Sequence, residues 1–532
     1  MSSKSINRRT FLDFLGKGIA ISTLASSPFL TVGTPYYKEL KGISPSQEDK
    51  LKLAKGLNFD VLIKWEDAIN ARDTFGFNND FTAFLPLDKN NPNDGILWVN
   101  HEYVDPFFVS DFIGKGEKTK AQVQKEMYNV GGSILRIQKN EKGKWKVVKD
   151  DPLNRRVHGM TIIPFNWDKP IAGKKSAMGT LGNCSGGITP WGTILTCEEN
   201  YDMFYGERDF KSGKRIEEKA FLGWHRHFDN PPEHYGWVVE VDPKTGKAQK
   251  HVALGRCAHE CATIKQLDDG RVVVYSGDDT VNQFLYKFVS SEPNSLSKGT
   301  LYVANVKLGK WLPLVHEENK ILKKLFKDQT EVLVQMRQAA KYIGASPLDR
   351  PEDIEIDPIN GSVLVSLTNN STKKNYFGSI LKIEETNGDH AALTFKPSTY
   401  LAGGEETGFA CPDNMAFDNA GNLWITSDIS GSLMNQEPYT PFKNNGLFVV
   451  PRSGPQAGKV IQIASAPSDA ELTGPFFAPD GKTLFLSVQH PGEYSTGPDN
   501  LTSHWPDGGN SIPRSSVVAI SGKTLDALQG VG

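Results

Sequence analysis

The feature that most constrains this chain is an imperfect repeat. Six times the sequence runs through a Pro or Thr-Pro, an apolar alternation, an Asp-Gly or Asn-Gly turn, and a strand of alternating apolar residues, although some copies lack one part. The copies span Leu87 to Asn100, Thr189 to Thr196, Glu260 to Tyr275, Pro351 to Val365, Pro412 to Thr426 and Gly474 to Leu486. Glycine after Asp or Asn supplies the positive φ that a tight hairpin needs, so most copies read as strand, turn, strand. A lone hairpin cannot bury its apolar face. Six of them, with intervening strands, can close radially and leave few exposed edges. The predicted fold is therefore all-β, a six-bladed β-propeller with helical and loop insertions. Two packed β-sandwiches are the alternative arrangement of so many short strands.

Spacing adds detail. Six copies over roughly 490 residues give about 80 per blade, more than the roughly 40–50 of a minimal four-stranded blade, so long inserted loops are expected. One is expected near residues 110–128, a polar, Lys-rich stretch, and another near 290–345. Within the second, Glu317 to Tyr342 reads as helix, with Leu322, Leu325, Phe326, Leu333 and Met336 near one face. Gly 50 and Pro 31 suit many turns. Lys+Arg 60 against Asp+Glu 62 leaves a net charge of −2, which excludes a dedicated polybasic nucleic-acid binder; no nucleic-acid partner is expected. No apolar run approaches the roughly 18 residues of a membrane span.

The N-terminus reads as an address. Asn7-Arg8-Arg9-Thr10-Phe11-Leu12 sets a twin arginine before Phe-Leu, and the apolar stretch that follows, from about Gly18 to Leu30, contains small residues Ala25-Ser26-Ser27 suited to cleavage. Residues 1–40 are expected to be a twin-arginine signal peptide and linker, and residues 41–532 the propeller. The partner implied is the twin-arginine translocation machinery, which carries folded proteins, and the expected location is periplasmic or secreted. Whether the protein is free or retained at the membrane stays open. A closed propeller suits a monomer.

Polar and acidic residues flank the repeats at matching places: Glu102 after the first, Cys184 before and Glu199 after the second, Glu260 at the third, Arg350 and Glu352 at the fourth, Asp413 at the fifth. In a closed ring such carboxylates crowd together, and burying them is costly unless a cation compensates. Carboxylate and amide oxygens suit calcium, whereas a thiolate among them points to a transition metal beside the hard cation. Cys257 and Cys261 are four apart, but no second pair supports zinc, and with Cys 5 in all no disulfide framework is expected. No Gly-x-Ser-x-Gly motif, Walker loop or dinucleotide fingerprint occurs; Gly182-Asn183-Cys184-Ser185-Gly186-Gly187 precedes a strand rather than a helix.

This constellation resembles the PhoX alkaline phosphatases. The resemblance is carried by Asn100-His101-Glu102-Tyr103, by Asn183-Cys184-Ser185-Gly186-Gly187-Ile188-Thr189-Pro190-Trp191-Gly192-Thr193, by Thr196-Cys197-Glu198-Glu199-Asn200, by Gly255-Arg256-Cys257-Ala258-His259-Glu260 and by Pro412-Asp413-Asn414. It implies a six-bladed propeller, export, hydrolysis of small phosphate monoesters, and a cofactor of two oxo-bridged ferric ions, Fe(3+), with calcium ions, Ca(2+), around them. By matching motifs, Cys184 would be an iron ligand and Glu199 a bridging carboxylate. Glu260 and Glu352 would be further iron or calcium ligands, and Glu102 and Asp413 calcium ligands. Arg350 resembles the arginine that holds substrate phosphate, and Asn200 and His259 are further site candidates, His259 equally readable as a supporting residue. The acidic residue that the family often carries shortly before the cysteine is missing from Met178 to Asn183. The rival readings are a calcium-dependent propeller lactonase or phosphotriesterase, which needs no thiolate-bound iron, and a noncatalytic binding propeller, which needs no crowded acids.

Overall fold

In a computed structural model of the chain, which describes residues 39–530, the repeat is expressed as six sheets, antiparallel but for one strand pair. Each begins with one of the six hairpins. The hairpin's first strand is innermost: Asn79–Asp88, Asn183–Ile188, Thr263–Gln266, Pro351–Ile356, Pro412–Phe417 and Glu471–Phe477. Neighbouring inner strands touch all the way round, the last packing on the first, so the sheets are blades of a closed six-bladed β-propeller. Further strands follow outward in chain order in blades one, three and four, and in blades five and six up to an outermost strand from the N-terminal end. The outer edge of blade two adds Ile162–Asn166, which runs parallel to its neighbour Ala248–His251.

The ring is fastened by the N-terminal end of the described chain. Asn58–Lys64 pairs with Ser516–Ser521 as the outermost strand of blade six, and Lys52–Leu53 pairs with Ile461–Ser465 on the edge of blade five. Both edges are thereby closed by a segment remote in sequence. Blades pack through apolar faces. Phe84, Leu97 and Trp145 of blade one meet Phe485 and Val517 of blade six, and Tyr275 and Trp311 of blade three meet Ile383 and Phe395 of blade four. Completely buried ion pairs lie among this packing. Lys250 reaches Glu198 at 2.6 Å within blade two, and Lys287 of blade three reaches Glu385 of blade four at 3.0 Å.

The turns follow the sequence in most blades: Gly270, Gly361, Gly421 and Gly481 all have positive φ at hairpin ends. Blade one differs. Its turn falls at Lys89-Asn90, and Asp94-Gly95 lies inside the second strand, Asn91–His101. Gly95 is there for close approach, since a Cβ would lie 2.4 Å from the Phe84 ring. The expected helix Glu317 to Tyr342 is instead three short helices, Lys320–Leu325, Gln329–Val334 and Met336–Ile343, after a 3-10 turn at His316–Glu318. Asp328 ends the continuity by capping the second helix through Glu331 N at 3.0 Å, with Phe326 extended before it. This insertion begins later than expected, because Gly299–Asn305 and Lys310–Pro313 are strands of blade three. The Lys-rich stretch near 110–128 holds the helix Lys120–Asn129, started by a Thr119/Gln122 capping box. The twin-arginine segment lies outside the described residues.

Candidate metal centre and active site

The inner hairpins share one irregularity, and it builds the site. In blades one, two, four, five and six, three residues of the inner strand face two of its neighbour; in blade three, four face three. Each inner strand thus carries one extra residue, a β-bulge that re-aims a side chain. The first residue inside the bulge is Asp80, Cys184, Glu260, Glu352, Asp413 and Gly474 in turn. One step beyond the paired residue on the second strand stand Glu102, Glu199, Asp279, Thr368 and Asp428 in blades one to five. Two stacked tiers of donors therefore converge on one mouth of the channel.

There all of them except Gly474 and Thr368 line a cavity of about 310 Å³, joined by Tyr103, Asn200, Arg350, Glu471, Gln489, His490 and Glu493. Donor atoms of Asp80, Glu102 and Cys184 lie within 4.8 Å of one another, as do those of Cys184, Glu199 and Glu260, and those of Glu260, Asp279 and Glu352. The Cys184 sulfur is 3.2 Å from both Asp80 Oδ2 and Glu260 Oε1. Asp80 thus places beside the cysteine the carboxylate that residues 178–183 lack.

Supporting bonds fix the acids. Asn200 Nδ2 donates to Glu102 Oε1 at 3.0 Å and Gln489 Nε2 to Glu102 Oε2 at 2.8 Å. Thr368 Oγ1 donates to Glu352 Oε1 at 2.7 Å, and Asn414 Nδ2 to Asp413 Oδ1 at 3.0 Å. Among the described residues, Arg350 is the one permanently charged cation on the wall. It donates to Asp279 through Nε at 3.0 Å and Nη2 at 2.7 Å, lies 2.8 Å from Glu352 Oε1, and reaches Asp428 Oδ2 at 3.2 Å. Its backbone sits at φ 55, immediately before Pro351. A left-handed residue with a side chain costs about 1–2 kcal/mol, and these ion pairs hold it there.

The electrostatics follow from crowding. Burial first, then neighbouring carboxylates, pushes Asp80, Glu199 and Glu260 well above the usual carboxylate range. Burial and Asp279 do the same to Glu352 against the pull of Arg350, and burial with Asp428 lifts Asp413 to about 8. Asp428 moves the other way: burial would raise it, but Glu471 and Arg350 together hold it below its ordinary value. The Cys184 thiol is pushed well up by burial and by Asp80 and Glu260. A wall of this kind holds protons unless cations displace them, and metal binding to such donors releases those protons. The oxygen-rich set with one sulfur fits hard cations together with a metal that accepts a thiolate. The acidic groups are able to bind metal.

Of the residues expected at the site, Cys184, Glu199, Glu260, Glu352, Glu102, Asp413, Arg350 and Asn200 all line this cavity. His259 does not. Its ring is completely buried, with Nδ1 2.7 Å from Ser276 Oγ and Nε2 2.9 Å from the Gly255 carbonyl. It braces the hairpin next to Glu260 rather than facing substrate, which corrects its reading as a site residue. Sequence reasoning does not single out Asp80, Asp279, Asp428 or Glu471. The first three stand at repeat positions equivalent to expected ligands, so a register count across the copies could find them.

A family profile, alkaline phosphatase PhoX, matches residues 38–492. Among solved structures, Pseudomonas fluorescens PhoX in complex with vanadate, a transition-state analogue, superposes with a TM-score of 0.81 at 31% identity, covering 91% of this chain and 98% of that one. A Xanthomonas campestris gluconolactonase aligns over 91% of this chain and 99% of its own at 10% identity, with a TM-score of 0.37. No curated protein sequence matches.

Proposed function

The chain belongs to the PhoX alkaline phosphatase family, and from that premise we propose that it hydrolyses small phosphate monoesters at the acidic mouth, using iron and calcium held by the bulge residues. The observation that carries this reading is the convergence of Cys184 with Asp80, Glu199, Glu260 and Glu352. Cys184, with Glu199 and Glu260 beside it, would hold iron, while Glu102, Asp413 and Glu352 would supply oxygen to calcium. Bound there, such cations would stabilise negative charge on the phosphoryl oxygens and on the departing alkoxide.

The chain's own groups do the rest. Arg350 offers charge-assisted N–H donors to phosphoryl oxygens and is oriented by two bonds to Asp279. Asn200 and Gln489 keep Glu102 turned toward the cavity. Tyr103 keeps its phenolic proton, because burial and then Glu493 push it well above its ordinary value, and it donates to Glu493 Oε1 at 2.8 Å. Cys184 in the cluster speaks against a purely calcium-dependent lactonase, and the density of acids against a noncatalytic binder.

The twin arginine at Arg8-Arg9 supports export by the twin-arginine machinery to the periplasm or beyond. A sheet ring that closes on itself supports a monomer. The test is elemental analysis together with hydrolysis of p-nitrophenyl phosphate at alkaline pH, on the parent and on Cys184→Ala. Iron and calcium in the parent, with iron and activity both lost in the variant, support the reading. Calcium without iron, in a fully metal-loaded protein inactive on this substrate, overturns it.

A further inference from the structure

Beside the cavity, the turn after the second strand of blade three is gripped from outside by the inserted helices. Arg337, in the helix Met336–Ile343, donates through Nε to the two carboxylate oxygens of Asp278 at 3.1 and 2.9 Å. Its Nη2 also bonds Asp278, and reaches Thr280 Oγ1 at 3.0 Å. The Asp278 side chain is completely buried and also accepts from Ala258 N at 3.3 Å.

The next residue faces the other way. Asp279 lines the cavity and takes the two bonds from Arg350, with its own N–H fixed to the Ala258 carbonyl at 3.1 Å. Consecutive carboxylates are thus held by two arginines from opposite sides of one turn. The other acids touching Arg350 cannot replace this orientation. Glu352 approaches Nη2 through the single oxygen Oε1 at 2.8 Å, and Asp428 meets the guanidinium through one oxygen at 3.2–3.3 Å without binding Nε. Two parallel bonds from one guanidinium fix its plane; single contacts do not.

We propose that Arg337 is a positioning residue for phosphoryl binding: by locking Asp278 it fixes Asp279, and through Asp279 the orientation of Arg350. The proposal rests on the reading of Arg350 as the group that holds the phosphoryl oxygens. It gives the inserted helices of blade three a part in the reaction although none of their residues lines the cavity. A residue needed only for folding would lower thermal stability without changing how tightly a phosphoryl group is held.

The test uses the full, metal-loaded chain. KM and kcat for p-nitrophenyl phosphate and the inhibition constant of vanadate are measured for the parent, Arg337→Gln, Arg337→Lys, Arg350→Lys and the Arg337→Gln/Arg350→Lys double variant. Metal content is checked in each. Displacing a binding group by a fraction of an ångström is expected to raise KM and the vanadate constant together by about tenfold in Arg337→Gln, with kcat changed less than about threefold. Arg337→Lys keeps the charge without the fork and is expected to lie between. In the Arg350→Lys background, Arg337→Gln is expected to add less than about twofold, because both changes act through one group. Parent-like KM and vanadate inhibition in metal-loaded Arg337→Gln, or effects that multiply in the double variant, overturn the proposal. Where Arg337→Gln does not accumulate folded, Arg337→Lys carries the same comparison, and a parent-like vanadate constant there overturns it as well. If Arg350→Lys itself leaves KM and vanadate inhibition unchanged, the phosphoryl-holding reading fails. If Arg350→Lys is impaired while Arg337→Gln behaves as the parent, only the present inference fails.

Discussion

Stripping cations from the mouth should make the protein more stable as pH falls from 9 to 7, relative to the same protein loaded with metal. The sign follows from the carboxyls. Asp413, lifted to about 8 by burial and Asp428, binds more proton folded than unfolded, so its contribution is complete below its ordinary value and lost as pH rises through about 8. At 1.36 kcal/mol per unit, it contributes about 1.4 kcal/mol between pH 9 and 7. Asp80, Glu199, Glu260 and Glu352 are raised by the same burial and crowding and act in the same direction. A chain of roughly 490 described residues has an unfolding entropy of about 1 kcal/mol/K, so the gain from Asp413 is about 1 °C in Tm and the other four carboxyls add to it. Lys287, lowered to about 8, and the half-buried His158 and buried His234, lowered to about 4, respond in both forms and cancel in the comparison. Bound cations keep the carboxylates ionised, so the loaded protein lacks this gain. The assay is differential scanning calorimetry at pH 7 and 9, with chelator and with restored calcium and iron. A chelated protein whose Tm changes with pH no more than the loaded one would refute the crowding argument.

Three further outcomes are expected. Lys250→Met leaves Glu198 buried without its cation and should cost about 3–5 kcal/mol, read as a fall in Tm by calorimetry, since Lys250 and Glu198 are both fully buried. Asn200→Ala removes one of the two amides that hold Glu102; a calcium titration of activity should show half-saturation at about tenfold higher calcium, restored by excess calcium, whereas an unchanged titration curve would deny Asn200 this part. A chain begun at Trp65 loses the outermost strands of blades five and six, Lys52–Leu53 and Asn58–Lys64, and should accumulate as insoluble protein; a soluble, cooperatively melting product would contradict the fastening role of this segment.

The propeller was legible because its hairpins are local. Asp-Gly and Asn-Gly turns bounded by alternating apolar residues identify strand pairs without knowledge of their neighbours, and six such pairs leave few ways to close. Features set by distant contacts were not. Nothing near Asn58–Lys64 says that it completes a blade whose other strands begin at Glu471. The single expected helix after His316 broke at Asp328, where a capping side chain overrides apolar periodicity. In blade one, Asp94-Gly95 has the chemistry of a turn, yet the Phe84 ring claims the space beside Gly95 and Arg136 pairs with Asp94 at 2.9 Å, so the turn moves to Lys89-Asn90.

The site divides along the same line. Cys184, Glu199, Glu260 and Asp413 sit in motifs whose neighbours announce them, but Asp80 and Asp428 are single acids with no surrounding signature. What makes them donors is register: each stands where the bulge, or the residue just past the pairing point, turns a side chain into the mouth. The same register explains why the ring of donors is incomplete. In blade six the equivalent bulge residue is Gly474, and a Cβ there would lie 2.7 Å from both the Asp80 carbonyl oxygen and Phe81 Cα. Blade six meets blade one at this point, so its inner strand must approach as bare backbone. Gly474 N instead donates to Asn414 Oδ1 at 2.6 Å, while Glu471 and Gln489 bring polar side chains from further along the hairpin. Closure of the ring therefore removes one of six possible donors at the bulge position, and the asymmetry of that tier, acids and sulfur on five blades and bare backbone on the sixth, is a consequence of how the propeller shuts.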